Sequence, residues 1–206
     1  MHKYFIAGVI LVFLTITTYS YLKPPSEFLI APVTLNEQKR GSRLPSVTLV
    51  VYTNFSCEEC LNLEKSLRQA IKDFPDDVGV VDRYLIDSSP LANEAALAAE
   101  AARNQGTYYI MHKKLFNLQE EWITEEDPYH AFLQYAKALS LHPGTFQGNY
   151  EDGRTGPLKI KFDTKIAKKM KYRTAPALFI NDKYVPTPSS YEELEYAINE
   201  ALEEAY

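Results

Sequence analysis

The chain has 206 residues, of which 46% are hydrophobic and 24% charged, enough to build one compact domain with its own core. A formal net charge of -5 and a sequence pI near 5.5 argue against a nucleic-acid partner, which would need a basic surface to neutralise phosphates. The two cysteines stand in one C-x-x-C and the four histidines show no ligand spacing, so no disulfide-rich framework, metal or cofactor is expected.

The N-terminal segment is strongly apolar. Residues 4–22 carry no charged side chain, and as a helix they would span roughly 28 Å, close to the thickness of the hydrocarbon core of a bilayer. A secretory signal peptide would have a shorter apolar region and a small-residue cleavage site, which "TTYSYLKPPS" does not offer. We therefore predict that residues 1–22 are an uncleaved N-terminal transmembrane helix rather than a cleaved signal segment. The chain would then be a single-pass protein of the cell membrane, with the following domain outside the cytoplasm.

The next part of the chain predicts a linker and then alternating strands and helices. Residues 23–46 mix proline, glycine, serine and charges, which indicates an extended linker with one local edge strand at residues 31–35. The β-branched run "VTLVVY" at 47–52 is typical of a buried central strand. Apolar residues at steps of three and four predict a helix over 57–73, and "VGVVDRYLID" at 78–87 predicts a second strand. This strand, helix, strand order indicates a parallel sheet.

Residues 90 to about 160 predict a helical insertion. An alanine-rich stretch and two further apolar stripes at helical spacing indicate several helices. His112 and Trp122 lie in these stripes, and we interpret both as packing residues. The remaining sequence predicts a further helix, a strand at "PALFIN", a short returning strand at "YVP" and a closing amphipathic helix. We interpret the lysine-rich run "KIAKKMKYR" as a solvated face.

Cys57 and Cys60 are the candidate catalytic residues. At the start of a helix the first cysteine faces unsatisfied N–H groups and the positive end of the helix dipole, which stabilise a thiolate. The second cysteine lies one turn later, within reach to resolve a mixed disulfide. A C-x-x-C between a βαβ strand and its helix is typical of thioredoxin-class redox proteins. An inert local disulfide or half of a zinc site is the alternative interpretation of the same pair.

The sequence also resembles a known family. The stretch "VTLVVYTNFSCEEC" with the helix after it resembles the start of the DsbA-type thiol oxidoreductases, and "YRTAPALFIN" resembles the family loop in which a cis-proline faces the C-x-x-C. The resemblance covers roughly residues 46–206. It implies an α/β fold for residues 47–206, with a thioredoxin-like βαβ core and an inserted all-helical subdomain. It also implies that Pro176 is cis and that the backbone of Ala175 and Pro176 binds client polypeptide.

Two departures from the family pattern concern this loop and the approach to the cysteines. Family members commonly carry Gly-Thr before the cis-proline and an acidic residue three positions before the first cysteine. This chain has Thr174 and Ala175 in the first place and Asn54 in the second. Backbone binding by Ala175 survives the first change, whereas the second puts proton transfer by a nearby carboxylate in question.

Glu58 and Glu59 separate the cysteines, where strong oxidants of the family often carry Pro and His. Both carboxylates compete with a Cys57 thiolate for the positive potential at the start of the helix. A less stable thiolate means a more stable disulfide, so we predict that the two glutamates tune the redox potential and make this protein a weaker oxidant. The alternative is that Glu59 forms a capping box with Ser56.

These features predict an enzyme, a DsbA-like protein disulfide oxidoreductase that exchanges disulfides with cysteine-containing client proteins. The resemblance further implies a membrane redox partner that recharges the cysteine pair. The alternative from another class is a non-catalytic thioredoxin-like binding or chaperone module whose helical insertion presents the binding surface. A peroxidase is less well supported, because nothing near Cys57 in the sequence offers the threonine and arginine that would activate peroxide.

Overall fold

A computed structural model of the chain describes residue 30 and residues 32–34, 37–86, 89–152 and 155–205. The predicted anchor at 4–22 lies outside the described residues. Among the residues that are described, no helix combines the length and the apolar character that crossing a membrane requires.

The described residues form a five-stranded mixed sheet with helices on both of its faces. The strands are β1 (Lys39–Gly41), β2 (Val47–Thr53), β3 (Val78–Tyr84), β4 (Ala177–Ile180) and β5 (Lys183–Val185). The helices are α1 (Glu58–Asp73), α2 (Pro90–Arg103), α3 (Tyr108–Asn117), α4 (Gln119–Trp122), α5 (Tyr129–Ala138), α6 (Pro143–Glu151), α7 (Thr155–Lys169) and α8 (Tyr191–Ala205). The strand order across the sheet is β1-β3-β2-β4-β5.

The centre of the sheet is the predicted parallel pair. β2 and β3 run parallel in register from Val47 opposite Val78 to Thr53 opposite Tyr84, and helix α1 connects them. β-branched residues make up most of β2 and three of the seven residues of β3, and both strands are buried on both faces, as expected for a central parallel pair. β4 pairs antiparallel with β2 and β5 with β4. The second strand ends at Tyr84 rather than at the predicted residue 87.

The two faces of the sheet have separate cores. On one face, α1 and α8 pack apolar residues against the strands, among them Leu63, Leu67, Leu194 and Ile198. The other face packs against α7, where Ala167 meets the sheet. This three-layer arrangement holds the amino end of α1 at the carboxyl end of β2, which is where the cysteines lie.

The helical insertion has an apolar core of its own. The alanines of α2 pack against the aromatic residues of α3, α5 and α6. Trp122 is fully buried, stacks edge-on against Phe132 and donates its indole N–H to the carbonyl of Leu115 at 2.8 Å. It is therefore a packing residue, as predicted. Helices α2 to α6 fall within the predicted range of about 90–160, while α7 runs on to Lys169 and returns the chain to the sheet.

The last part of the predicted linker at 23–46 belongs to the fold, which corrects that prediction. Lys39–Gly41 form β1, which pairs antiparallel with β3. The edge strand predicted at 31–35 is wrong, since residues 32–34 form no strand. Gly41 has a φ of +84°, and a Cβ there would lie 2.4 Å from the carbonyl oxygen of Val78, so only glycine allows this close approach.

Candidate redox site

Cys57 caps the amino end of α1. Its backbone is extended (φ -100°, ψ 128°), and its Sγ accepts the N–H of Cys60 at 3.0 Å. The alternative Ser56–Glu59 capping box is therefore not formed, because the helix is capped one residue later, by the Cys57 sulfur. Ser56 instead donates its N–H and its hydroxyl to Oδ1 of Asn54, each at 2.9 Å. One cysteine sulfur thus lies directly at the positive end of the helix.

Cys57 and Cys60 form a disulfide, with their Cα atoms 5.2 Å apart. The two sulfurs differ in access, because Cys57 is half-buried whereas Cys60 is only 2% exposed. Cys60 packs in the same core cluster as Phe55. An attacking thiolate from another molecule can therefore approach Cys57 and not Cys60.

The loop before β4 brings Pro176 to the disulfide. The Ala175–Pro176 peptide bond is cis, as predicted, and the carbonyl oxygen of Ala175 lies 3.6 Å from Sγ of Cys57. The pairing of β4 with β2 explains this approach, since Ala177 lies opposite Tyr52 at the end of β2 that leads into the cysteines. Residues about 118 positions apart in the chain thus meet at one edge of the sheet. Ala175 and Pro176 are both half-buried.

Glu58 and Glu59 begin α1, and both side chains are exposed. Oε2 of Glu59 lies 3.7 Å from Sγ of Cys57. A carboxylate at this distance from the sulfur raises the energy of a Cys57 thiolate relative to the thiol or the disulfide. The redox-tuning role of the two glutamates stays a prediction, which this distance supports.

Gln119 is a residue of this site that the sequence did not reveal. It opens α4 in the insertion, is 6% exposed, and donates from Nε2 to the carbonyls of Phe55 at 2.6 Å and of Cys57 at 3.1 Å. Its side chain ties the helical insertion to the loop that carries the cysteines. The sequence contained no signal for this role, because an isolated glutamine has no characteristic spacing from a C-x-x-C.

Replacement of Gln119 by leucine is expected to loosen this loop. The buried carbonyl of Phe55 would lose its donor, which costs about 1–3 kcal/mol of stability, whereas the carbonyl of Cys57 would keep the N–H of Leu61. Because one of the carbonyls belongs to Cys57, the equilibrium redox potential should shift as well, which a purely structural contact would not produce. Denaturant unfolding and glutathione titration of the variant measure both effects. The exposed Gln147→Leu in α6 serves as the control, and equal redox potentials in the two variants would contradict the role of Gln119.

A buried charge cluster lies behind α1, made of Arg40, Glu64, Asp82 and His112. The guanidinium of Arg40 donates four hydrogen bonds of 2.5–3.1 Å to the two carboxylates. Burial alone would raise the pKa of Asp82, but Arg40 and then His112 reverse this, so the pKa lies below its usual range. Burial also lowers the pKa of His112, against the opposing effect of both carboxylates. At neutral pH the cluster therefore holds an ionised Asp82 and Arg40 beside a neutral His112.

His112 is a packing residue, as predicted, with polar neighbours that the sequence did not indicate. Its ring packs edge-on against Phe55 and Phe116, at centroid distances of 5.2 and 5.0 Å. Glu64, Asp82 and His112 also offer ligand atoms within 4.8 Å of one another, the spacing of a metal site. Because Arg40 already bonds both carboxylates, its guanidinium takes the position that a metal cation would occupy.

Comparison with known proteins places the chain in a family. A family model described as thioredoxin matches residues 34–200. Among curated proteins, the chain is 33% identical over 168 residues to the Na(+)/H(+) antiporter NhaA 3 of Salinispora tropica, covering 81% of this chain and 25% of that protein. It is 26% identical over 166 residues to the disulfide bond formation protein D of Bacillus subtilis, covering 76% of this chain and 72% of that protein. The chain thus spans about a quarter of the length of the antiporter relatives that it matches.

Solved structures show the same fold. Oxidised BdbD from Bacillus subtilis superposes with a TM-score of 0.74 at 23% sequence identity, over 85% of this chain and 97% of that structure. The resemblance to the DsbA type predicted from the cysteine and proline motifs is thereby confirmed for the fold. Together with the family match over residues 34–200, these similarities show that the chain belongs to the thioredoxin family.

Proposed function

We propose that this chain is a thiol-disulfide oxidoreductase that exchanges disulfides with cysteine-containing client proteins through Cys57. The observation that carries the proposal is the position of the Cys57 sulfur. It is accessible, lies at the amino end of α1, and faces the carbonyl of Ala175 at 3.6 Å. This arrangement combines a leaving sulfur, a stabilising helix dipole and a backbone edge that can bind extended polypeptide.

In the oxidising direction, a client thiolate attacks Sγ of Cys57. The bond between the two cysteine sulfurs breaks, Cys60 leaves as a thiolate that takes up a proton, and a mixed disulfide joins Cys57 to the client. A second client thiolate then attacks the client sulfur of that bond, and Cys57 leaves. The client is oxidised by two electrons and the cysteine pair is reduced. In the reverse direction Cys57 is the nucleophile and Cys60 resolves the mixed disulfide.

In the reduced form, the two neighbours of the Cys57 sulfur favour different protonation states of its thiol. The N–H of Cys60 donates to this sulfur at 3.0 Å, and the bond becomes charge-assisted when Cys57 is a thiolate. The carbonyl of Ala175 instead accepts from a thiol, so it favours the protonated form. A client strand that pairs with the backbone around Ala175 and Pro176 would lie across this sulfur.

Oxidation of a reduced model protein, followed with the full-length chain, tests the proposal. The wild-type chain is expected to form client disulfides in stoichiometric amounts, and Cys57→Ser is expected to lose this activity. The alternative, a non-catalytic binding or chaperone module, predicts that biological function survives in Cys57→Ser. Wild-type exchange no faster than the uncatalysed reaction would refute the oxidoreductase.

Neutralising the two glutamates is expected to make the protein a stronger oxidant. In a Glu58→Gln/Glu59→Gln variant, a Cys57 thiolate gains about 0.3–1 kcal/mol for each carboxylate removed. This corresponds to a redox potential about 10–40 mV less negative for a two-electron couple. The pKa of the Cys57 thiol should fall in parallel. Glutathione titration gives the potential, and absorbance of the thiolate gives the pKa.

A matched control for this pair is Glu203→Gln/Glu204→Gln near the end of α8. Glu204 pairs with Lys183 at the start of β5, at the opposite end of the sheet from the cysteines. The control removes the same charge and should leave the redox potential unchanged. An equal shift of the redox potential in both variants, or no shift in either, would show that Glu58 and Glu59 do not tune the redox potential of the cysteine pair.

We further propose that the domain works outside the cytoplasm, anchored by residues 4–22, and that a redox partner in or near the membrane reoxidises Cys57 and Cys60. The uncharged sequence of this segment and the redox chemistry of the pair support this proposal. After a brief pulse of reductant, an impermeant thiol reagent should label Cys57 in intact cells. Labelling only after lysis would contradict a domain outside the cytoplasm. Reoxidation of the cysteine pair in the absence of membranes would contradict a membrane redox partner.

A further inference from the structure

A cleft lies between α1 and α3, on the part of α1 that follows the cysteines. Its volume is about 500 Å³, within the range of pockets that hold small molecules. The α1 residues that line it run from Glu64 to Lys72, about 6–18 Å along the helix from Cys60, and neither cysteine is among the lining residues. The cleft is therefore separate from the redox site.

The lining of this cleft is strongly cationic in a chain whose net charge is -5. The cationic lining residues are Arg40, Lys65, Arg68, Lys72 and Lys113. Glu64 is the carboxylate that lines the cleft, and it is already bonded to Arg40 and lies 3.4 Å from Nε of Arg68. The cleft thus has an excess of positive charge that its own acidic residue does not balance.

The three lysines that line the cleft have no direct carboxylate partner in the described part of the chain. Lys65, Lys72 and Lys113 are exposed, and none forms an ion pair within the described part of the chain. Lys65 donates to the side-chain oxygen of Asn62 at 3.4 Å, which leaves its charge unbalanced. Asp73, next to Lys72, binds Gln69 and Tyr191 and offsets part of the Lys72 charge without forming an ion pair with it.

The spacing of these charges adds a second argument. Lys65, Arg68 and Lys72 follow one another at steps of three and four, so they lie along one side of α1 and repel each other. Lys113 faces the same cleft from α3. Tyr109, which also lines it, has a buried hydroxyl with no hydrogen-bond partner among the described residues. A bound anion would relieve the repulsion and accept hydrogen bonds from several of these groups.

We propose that this cleft binds a phosphate-type anion carrying two or more negative charges. A compact polyvalent oxyanion matches the concave shape and the separated ammonium and guanidinium groups, which can each donate to a different oxygen. The phosphate can belong to a small soluble molecule or to a lipid headgroup, because both present the same oxygens. The site is separate from disulfide exchange, since neither Cys57 nor Cys60 lines the cleft.

Calorimetric titration of the oxidised full-length chain with inorganic pyrophosphate at low salt tests this site. We expect saturable binding at one site and a loss of about tenfold or more in affinity in Lys65→Gln/Lys72→Gln/Lys113→Gln. The control is Lys161→Gln/Lys165→Gln/Lys168→Gln, which removes three exposed lysines from α7 and should bind as the wild type does. Amide NMR shifts should report the bound anion at the cleft and not at Cys57.

Two outcomes overturn the proposal. The first is the absence of saturable binding, and the second is equal weakening in both triple variants, which would indicate a non-specific effect of net charge. A parallel arm uses vesicles of phosphatidylcholine with and without phosphatidic acid. Vesicle binding that needs phosphatidic acid and the three cleft lysines, with competition by pyrophosphate, identifies a lipid headgroup as the source. Binding of pyrophosphate alone identifies a soluble ligand.

Discussion

A Cys60→Ser variant is expected to accumulate as a stable mixed disulfide with an oxidised model client, whereas Cys57→Ser is expected to form none. The reason is the different access of the two sulfurs, since Cys57 is half-buried and Cys60 only 2% exposed. Without Cys60 no thiol is available to resolve the bond that Cys57 forms. Turnover should fall to the uncatalysed rate in both variants. Non-reducing electrophoresis and mass spectrometry of the adduct measure the trapping.

The double variant Cys57→Ser/Cys60→Ser provides the baseline for this experiment. It should show no adduct, and its unfolding curve reports what loss of the disulfide costs in stability. Equal trapping by Cys57→Ser and Cys60→Ser would contradict the assignment of Cys57 as the attacking residue. It would also mean that the core around Cys60 opens on the timescale of the reaction.

The second large effect is on stability, because Arg40→Ala is expected to lose about 3–5 kcal/mol of the free energy of unfolding. The substitution leaves Glu64 and Asp82 buried, charged and close to each other, without the four hydrogen bonds that Arg40 supplies. Such a loss is a large fraction of the 5–15 kcal/mol that is usual for a folded domain. Denaturant unfolding at neutral pH measures it. Lys39→Ala, at the exposed neighbouring position of β1, is the control.

The pH dependence of the same variant distinguishes this electrostatic cause from lost packing. In the wild type the pKa of Asp82 is lowered, so its contribution to stability is full above the ordinary carboxyl pKa of about 4 and is lost as the pH falls further. Without Arg40, burial dominates and the pKa of Asp82 should rise above that ordinary value. The cost of Arg40→Ala should therefore be constant well above the shifted pKa and shrink as the pH falls through it towards about 4. A cost independent of pH would indicate packing alone.

The regular elements could be predicted because their signals are local. β-branched runs at β2 and β3 and apolar steps of three and four along α1 are properties of neighbouring residues, and the structure forms these elements where they were expected. β1 could not be predicted in the same way. Its three residues are Lys39, Arg40 and Gly41, which have no apolar alternation. They form a strand because β3 offers an open edge and because Arg40 reaches two buried carboxylates.

Part of the candidate site could likewise be predicted from the sequence, and part could not. The cysteine motif and the loop with Pro176 are short continuous patterns, so each could be recognised in the sequence before their approach to 3.6 Å was known. Gln119 could not be recognised, since its two hydrogen bonds depend on how the insertion packs on the sheet. The capping of α1 was mistaken for a similar reason. The Cys57 sulfur caps the helix by accepting the N–H of Cys60, whereas a cap by Ser56 would have accepted the N–H of Glu59. The side chain of Asn54 binds Ser56 instead.

The sequence by itself determined the α/β class, the helical insertion and the position of the cysteine motif at a strand-to-helix junction, because backbone propensity and periodicity act over a few residues. Only the tertiary structure decided which charges are buried together and which face solvent. Glu64, Asp82 and His112 are far apart in the chain, and each lies in a stretch that reads as an ordinary helix or strand. Burial of a charge is stable only when a partner arrives from another element, and that depends on packing over the whole domain.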